Sequence, residues 1–176
     1  MSEYKLDTAN INEWVSDLRA GDRVLLSGVI YTARDAAHKR IVNLLDNDEE
    51  LPFPVEGSVV YFAGPTPAKD GLAIGSIGPT TSSRMDCFSP LMISLGQRAM
   101  IGKGNRSDEV VDAMKKYGAV YFAAVGGAGA LYSGCVQSCD VIGFEDLGCE
   151  SVKKLVIKDF PLLVAIDSLG NSLYNK

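Results

Sequence analysis

The chain has 176 residues, 47% of them apolar, which is the content of one packed globular domain and excludes disorder as its main character. Seventeen Lys and Arg against 22 Asp and Glu leave a formal charge of −5, and no basic run exceeds two residues. That pattern excludes the clustered cations on which a nucleic-acid surface depends.

The start, Met1 to Asp7, is polar and lacks the apolar centre of an export signal. Asn10 or Asn12 is placed to cap a short helix carrying Trp14, Val15 and Leu18, which Ala20-Gly21-Asp22 ends. Arg23 to Tyr31 (RVLLSGVIY) reads as a strand. Ala37, Ile41, Leu44 and Leu45 then recur at helical spacing, with Thr32 three residues before Asp35 as the expected cap. Asp46 to Glu50 is a solvated turn. Ser58 to Ala63 (SVVYFA) reads as a buried strand ended by Gly64-Pro65, and Leu72 to Ile77 as a weaker strand ended by Gly78-Pro79.

Met85, Phe88, Met92 and Leu95 predict a helix from Ser83 onward, kinked or broken at Pro90. Ala99-Met100-Ile101 is too short to assign, and Gly102 to Asn105 is a loop. Ser107-Asp108-Glu109 opens a helix whose acidic first turn suits its dipole and which Gly118 ends. Ala119 to Val125 reads as a buried strand. The longest apolar tract, Ala119 to Tyr132, is interrupted by Gly126, Gly127 and Gly129 and falls short of the roughly 20 residues that span a bilayer, so no membrane partner is expected. Three strands (VIGF, KLVIKDF and LLVAID) joined by short turns complete a single mixed α/β domain over residues 1–176.

Three loops place a cation just after a small or polar turn: Thr32-Ala33-Arg34-Asp35, Gly78 to Arg84, and Gly102-Lys103-Gly104-Asn105-Arg106. A cation where a helix begins is locally unfavourable unless an anion joins it, because the free N–H groups there already carry positive potential. Arg34, Arg84 and Lys103 gathered together would suit a small dicarboxylate, with bidentate forks from arginine and a point charge from lysine. The alternative is local pairing, of Arg34 with Asp35 or Asp70 and of Arg84 with Asp86, with Lys103 solvated. The hydroxyls of Thr80-Thr81-Ser82-Ser83 are either turn formers or, beside Arg84, a source of a proton acceptor. His38, the only histidine, shares a helix face with Arg34.

Cys87, Cys135, Cys139 and Cys149 are expected to be reduced thiols in a cytoplasmic chain. Cys135 and Cys139 are separated by three residues rather than the two of zinc knuckles, so no metal site is assigned here. Gly126 to Gly129 lacks a phosphate-loop pattern and implies close backbone packing.

Four segments taken in order, Thr32 to Arg40, Tyr61-Phe62-Ala63-Gly64-Pro65, Gly78 to Asp86 and Gly102 to Arg106, resemble the β part of the iron–sulfur hydro-lyases, the class I fumarate hydratases and L(+)-tartrate dehydratases. The resemblance runs from about Gly21 to Asp167. It implies a swivelling β/β/α domain with a mixed sheet and flanking helices. It also implies a β subunit that pairs with an α subunit carrying a [4Fe–4S] cluster, in an α₂β₂ hetero-oligomer. The implied reaction is reversible hydration of fumarate to (S)-malate, with Arg34 and Arg84 binding substrate carboxylate, Lys103 adding positive potential, Thr80 as proton acceptor, and His38 orienting Arg34 or reaching substrate. Tartrate dehydration is the runner-up, and a non-catalytic small-molecule binding domain the alternative from another class.

Overall fold

The structure, a computed structural model, describes residues 2–125 and 127–175. Twelve helices and strands follow in chain order: β1 (Glu3–Asp7), α1 (Ile11–Trp14), β2 (Arg23–Thr32), α2 (Asp35–Asp46), β3 (Val59–Tyr61), α3 (Ser89–Ser94), β4 (Ala99–Gly102), α4 (Asp108–Tyr117), β5 (Val120–Ala123), α5 (Gly129–Gly134), β6 (Val136–Gly143) and β7 (Val152–Ile166). The seven strands form one mixed sheet, in the order β1-β2-β3-β4-β5-β7-β6. Strands β1 to β5 run parallel to one another, and β7 runs antiparallel to both β5 and β2, so β2, β3, β4, β5 and β7 close into a ring.

The short parallel strands are apolar on both sides because both of their faces are covered. Val59, Tyr61, Ala99, Ile101, Val120 and Phe122 point into the ring with Leu26, Ile30, Leu155 and Phe160. Their neighbours Val60, Phe62, Met100 and Tyr121 point outward onto Ala37 and Ile41 of α2, Met92 of α3, and Val110 and Met114 of α4. Truncating a fully buried side chain of this kind, such as Ile41→Ala, costs about 2–5 kcal/mol.

Sequence and structure part company in several places, beginning with α1, which stops at Trp14 short of Val15 and Leu18 and has Asn10 as its N-cap without a side-chain bond. The helix of α2 is not capped by Thr32: its N-cap is Arg34, with no side-chain cap bond, and Thr32 Oγ1 accepts the Lys153 N–H instead. Leu72 to Ile77 is not a strand; Thr66 and Ser76 pin a loop by a backbone bond of 3.0 Å, and Ile74 and Ile77 are buried from it. The helix expected from Ser83 is a 3-10 turn (Ser82–Met85) followed by α3, and Pro90 opens α3 rather than kinking it. The last third contains one 15-residue strand, β7, with no turn at Pro161. Between Ile157, where β6 pairing begins, and Leu163, where β5 pairing begins, β7 has only β2 beside it. A residue without an N–H is tolerated in such a place. Gly126 lies outside the described residues; a Cβ at Gly129 would overlap Ser76 Oγ, so the close packing expected of that segment holds at Gly129.

Candidate active site

Parallel strands bring their carboxyl ends to one rim, where the loops leaving them gather, the usual place for a ligand in parallel α/β folds. The rim receives Ala33-Arg34-Asp35 from β2, Phe62-Ala63-Gly64 from β3 and Lys103-Gly104 from β4. The segment Thr80 to Ser82 is spliced between the last two. Thr80 N–H donates to the Phe62 carbonyl at 2.7 Å, Ser82 N–H to the Lys103 carbonyl at 2.9 Å, and Lys103 N–H to the Thr80 carbonyl at 3.4 Å. Thr81 and Lys103 form a parallel bridge, so this segment extends the sheet past the end of β4. The splice depends on glycine, because a Cβ at Gly102 would overlap Ser82 Oγ and lie 3.1 Å from the Phe62 ring.

Arg84 turns toward the start of α2, where its Nε donates to Asp35 Oδ1 at 3.1 Å; its side chain is 54% exposed. Arg34 lies over Gly64, with Nη1 only 3.0 Å from where a Gly64 Cβ would stand. Its Nε is buried, makes no hydrogen bond among the described residues, and is 4.0 Å from Glu150 Oε1. Lys103 is exposed and makes no ion pair among the described residues. Thr80 is half-buried. The loops that carry the three cations and the threonine therefore meet at one rim, with Asp35 and Glu150 as the carboxylates beside the arginines.

His38 is placed differently. It is 1% exposed, edge-on to Phe62 with centroids 5.7 Å apart and stacked on Phe88 at 5.5 Å. Its Nδ1 is 2.8 Å from the Arg34 carbonyl, which can only accept, so Nδ1 carries the proton in the neutral ring. Burial, reinforced by the nearby Arg106 charge, pushes its pKa down to about 4. A sealed neutral imidazole bound to that carbonyl steadies the backbone of Arg34 at the mouth of α2.

Partnerships across the fold are what the sequence did not reveal. Asp35, Glu150, Gly64 and Gly102 shape the rim, and Asp86 pairs not with Arg84 but with Arg106, at 2.7 Å. On the far wall, burial lowers the pKa of Lys153, whose Nζ donates to the carbonyls of Gly148 and Cys149, each at 3.2 Å, and to Ser151 Oγ at 2.7 Å. That ammonium ties down the turn carrying Glu150.

An iron–sulfur cluster is held by grouped thiolates. Among the described residues no three His, Cys, Asp or Glu side chains gather as a metal site. Cys87 and Cys149 are exposed and free, and burial raises the pKa of the free thiols Cys135 and Cys139, away from the thiolate form. These residues do not fit a cluster. Among the described residues no helix is long and apolar enough to cross a membrane.

Residues 1–176 match the family model described as Fumarase C-terminus. The chain is 39% identical over 176 residues to "Fumarate hydratase 2" of Leishmania major, covering 99% of this chain and 31% of that protein. It is 37% identical over 164 residues to "Fumarate hydratase class I, aerobic" of Escherichia coli K12, covering 92% of this chain and 30% of that protein. A Methanocaldococcus jannaschii protein named "Putative L(+)-tartrate dehydratase subunit beta" is 44% identical over 168 residues, covering 92% of this chain and 86% of its own length. The chain thus spans about a third of the two fumarate hydratases and most of the archaeal subunit. With its whole length matched and these relatives at 37% to 44% identity, the chain belongs to the Fumarase C-terminus family.

Proposed function

We propose that this chain is the β subunit of an iron–sulfur hydro-lyase that interconverts fumarate and (S)-malate in the cytoplasm. The observation that carries the reading is the splice of Thr80 to Ser82 between the ends of β3 and β4, which puts Thr80, Arg84 and Lys103 beside the helix mouth that holds Arg34. The other part of the enzyme is an α subunit; it would hold the [4Fe–4S] cluster, for which the described residues of this chain offer no ligand set, and the cluster would supply Lewis-acid chemistry there. An α₂β₂ assembly is the simplest arrangement.

In this mechanism Arg34 and Arg84 hold the substrate carboxylates by their guanidinium forks, and Lys103 adds a point charge. When malate is dehydrated, loss of the C3 proton builds charge on the neighbouring carboxylate. Preorganised cations stabilise that charge more than they stabilise the ground state. Thr80 Oγ takes the proton. A hydroxyl is too weak a base to act alone at neutral pH, so as Thr80 Oγ takes the C3 proton it passes its own hydroxyl proton to a carboxylate of the α subunit, the C3–H electron pair forms the double bond, and the C2–O bond breaks to release hydroxide, which departs as water once protonated.

The archaeal relative, whose match covers 86% of its length and whose name gives tartrate, favours tartrate as a second substrate reading. Co-expression with an α chain and anaerobic assay on fumarate, malate and tartrate decides between them. In that complex Arg84→Lys lowers kcat/KM more than tenfold, a loss of about 1.4 kcal/mol or more, and Thr80→Val abolishes turnover at similar substrate affinity. Near-wild-type kinetics in both variants would overturn the roles given to Arg84 and Thr80 and return Thr80 to the part of a turn former; a complex that turns over none of the three acids would leave a binding domain. Hydratase activity in the brown-coloured lone chain would overturn the division of labour.

A further inference from the structure

Arg106 lies beneath the rim, with its side chain 0% exposed. Its Nε donates to Asp86 Oδ1 at 2.7 Å and its Nη2 to Ser89 Oγ at 2.6 Å; Nη1 is 3.2 Å from Met100 Sδ. The guanidinium lies over two rings, 5.3 Å from the centroid of Phe62 and 5.0 Å from that of Tyr121. Asp86 Oδ2 in turn accepts the Ser107 N–H at 2.8 Å. Asp86 follows Arg84 closely in the chain and Arg106 follows Lys103, so this pair ties one cation-bearing loop to the other. A second tie runs parallel to it. The Tyr121 hydroxyl is 2.9 Å from both Ser82 Oγ and the Gly104 carbonyl; the carbonyl can only accept, so the hydroxyl donates to it and accepts from Ser82.

A buried ion pair of this kind is poor value as a source of stability, because desolvating both charges offsets most of their attraction. What it does supply is geometry: two loops fixed relative to each other by several bonds that all fail together if the loops slip. We propose that Arg106, with Asp86 and Tyr121, is a positioning unit that sets the register of Thr80 and Arg84 against Lys103. The inference deepens the functional reading above and rests on it. Each loop keeps its own cation when the tie is cut, so substrate still binds, but the acceptor no longer meets the reacting proton. A displacement near 1 Å at a reacting centre costs about a hundredfold in rate.

The test uses Arg106→Lys, which keeps charge and loses the fork, and Tyr121→Phe, which keeps the ring and loses the hydroxyl. In the complex with the α subunit, kcat falls at least tenfold in Arg106→Lys and at least threefold in Tyr121→Phe, while KM stays within threefold of wild type. Hydrogen exchange on the chain alone reads the tie without the reaction. The Ser82 and Lys103 amides exchange at least tenfold faster in either variant, and amides of the β2–β7 ladder are unchanged. Unaltered exchange at Ser82 and Lys103, or unaltered kcat in an active complex, overturns the positioning role. If Arg106→Lys does not fold, Tyr121→Phe decides by the same readouts. A wild-type complex that turns over no dicarboxylate would instead sink the functional reading, and the exchange result would still judge the tie.

Discussion

His38 makes the stability of this chain sensitive to mild acid. The folded chain holds its imidazole at a pKa of about 4 against an ordinary value of 6.5, because the buried ring between Phe62 and Phe88 disfavours the charged form; the bond to the Arg34 carbonyl and the Asp35 charge oppose this, and Arg106 adds to it. Above pH 6.5 neither folded nor unfolded chain protonates the ring, and the contribution to stability is fully present. As pH falls from 6.5 toward 4, the unfolded chain binds a proton that the folded chain refuses, and stability declines; below about 4 this group causes no further loss. The whole shift corresponds to roughly 3 kcal/mol, of which about 2 kcal/mol is lost by pH 5. Urea unfolding of wild type and His38→Gln across pH 7.5 to 4.5 isolates the term, since the carboxylates titrate in both. Wild type loses about 2 kcal/mol more than the variant between pH 7.5 and pH 5. Parallel stability curves would refute the reasoning.

Two glycines make further predictions. Gly102→Ala forces a methyl onto Ser82 Oγ; it destabilises the chain by about 1–3 kcal/mol in thermal unfolding and lowers turnover in the complex, and Ser82→Gly in the same chain restores much of the stability but not the turnover, because it also removes the hydroxyl bonded to Tyr121, whereas an unchanged Tm would contradict the splice. Gly64→Ala places a Cβ 3.0 Å from Arg34 Nη1 and 3.1 Å from the Cys149 carbonyl, so the guanidinium must shift. The expected result is a KM raised severalfold with stability changed by less than about 1 kcal/mol, and an unchanged KM would mean that Arg34 does not contact substrate.

Local chemistry was legible along the chain wherever it acts over one turn or one strand. The strand at Arg23, the helices that became α2 and α4, the Ser107 cap and the left-handed Gly118 at a φ of 75° all follow from periodicity and from residues a few positions apart. The three cation-bearing loops were legible in the same way. Their partners were not. Arg84 was open to pairing with Asp86, two residues on, but residues that close point in different directions; the fold gives Arg84 to Asp35, 49 positions away, and Asp86 to Arg106.

Leu72 to Ile77 shows the same limit from the other side: its apolar residues were strand-like, yet backbone bonds to Thr66 hold it as a loop whose isoleucines are drawn into the core. The sequence by itself determined which segments are apolar, where α4 begins and stops, and which loops carry charge, because each depends on neighbours within a few residues. Only the tertiary structure decided that β7 closes the ring against β2, and that Thr80 to Ser82 enters between β3 and β4. Those pairings are chosen by the order of strands across the sheet, a property that no local stretch of chain contains.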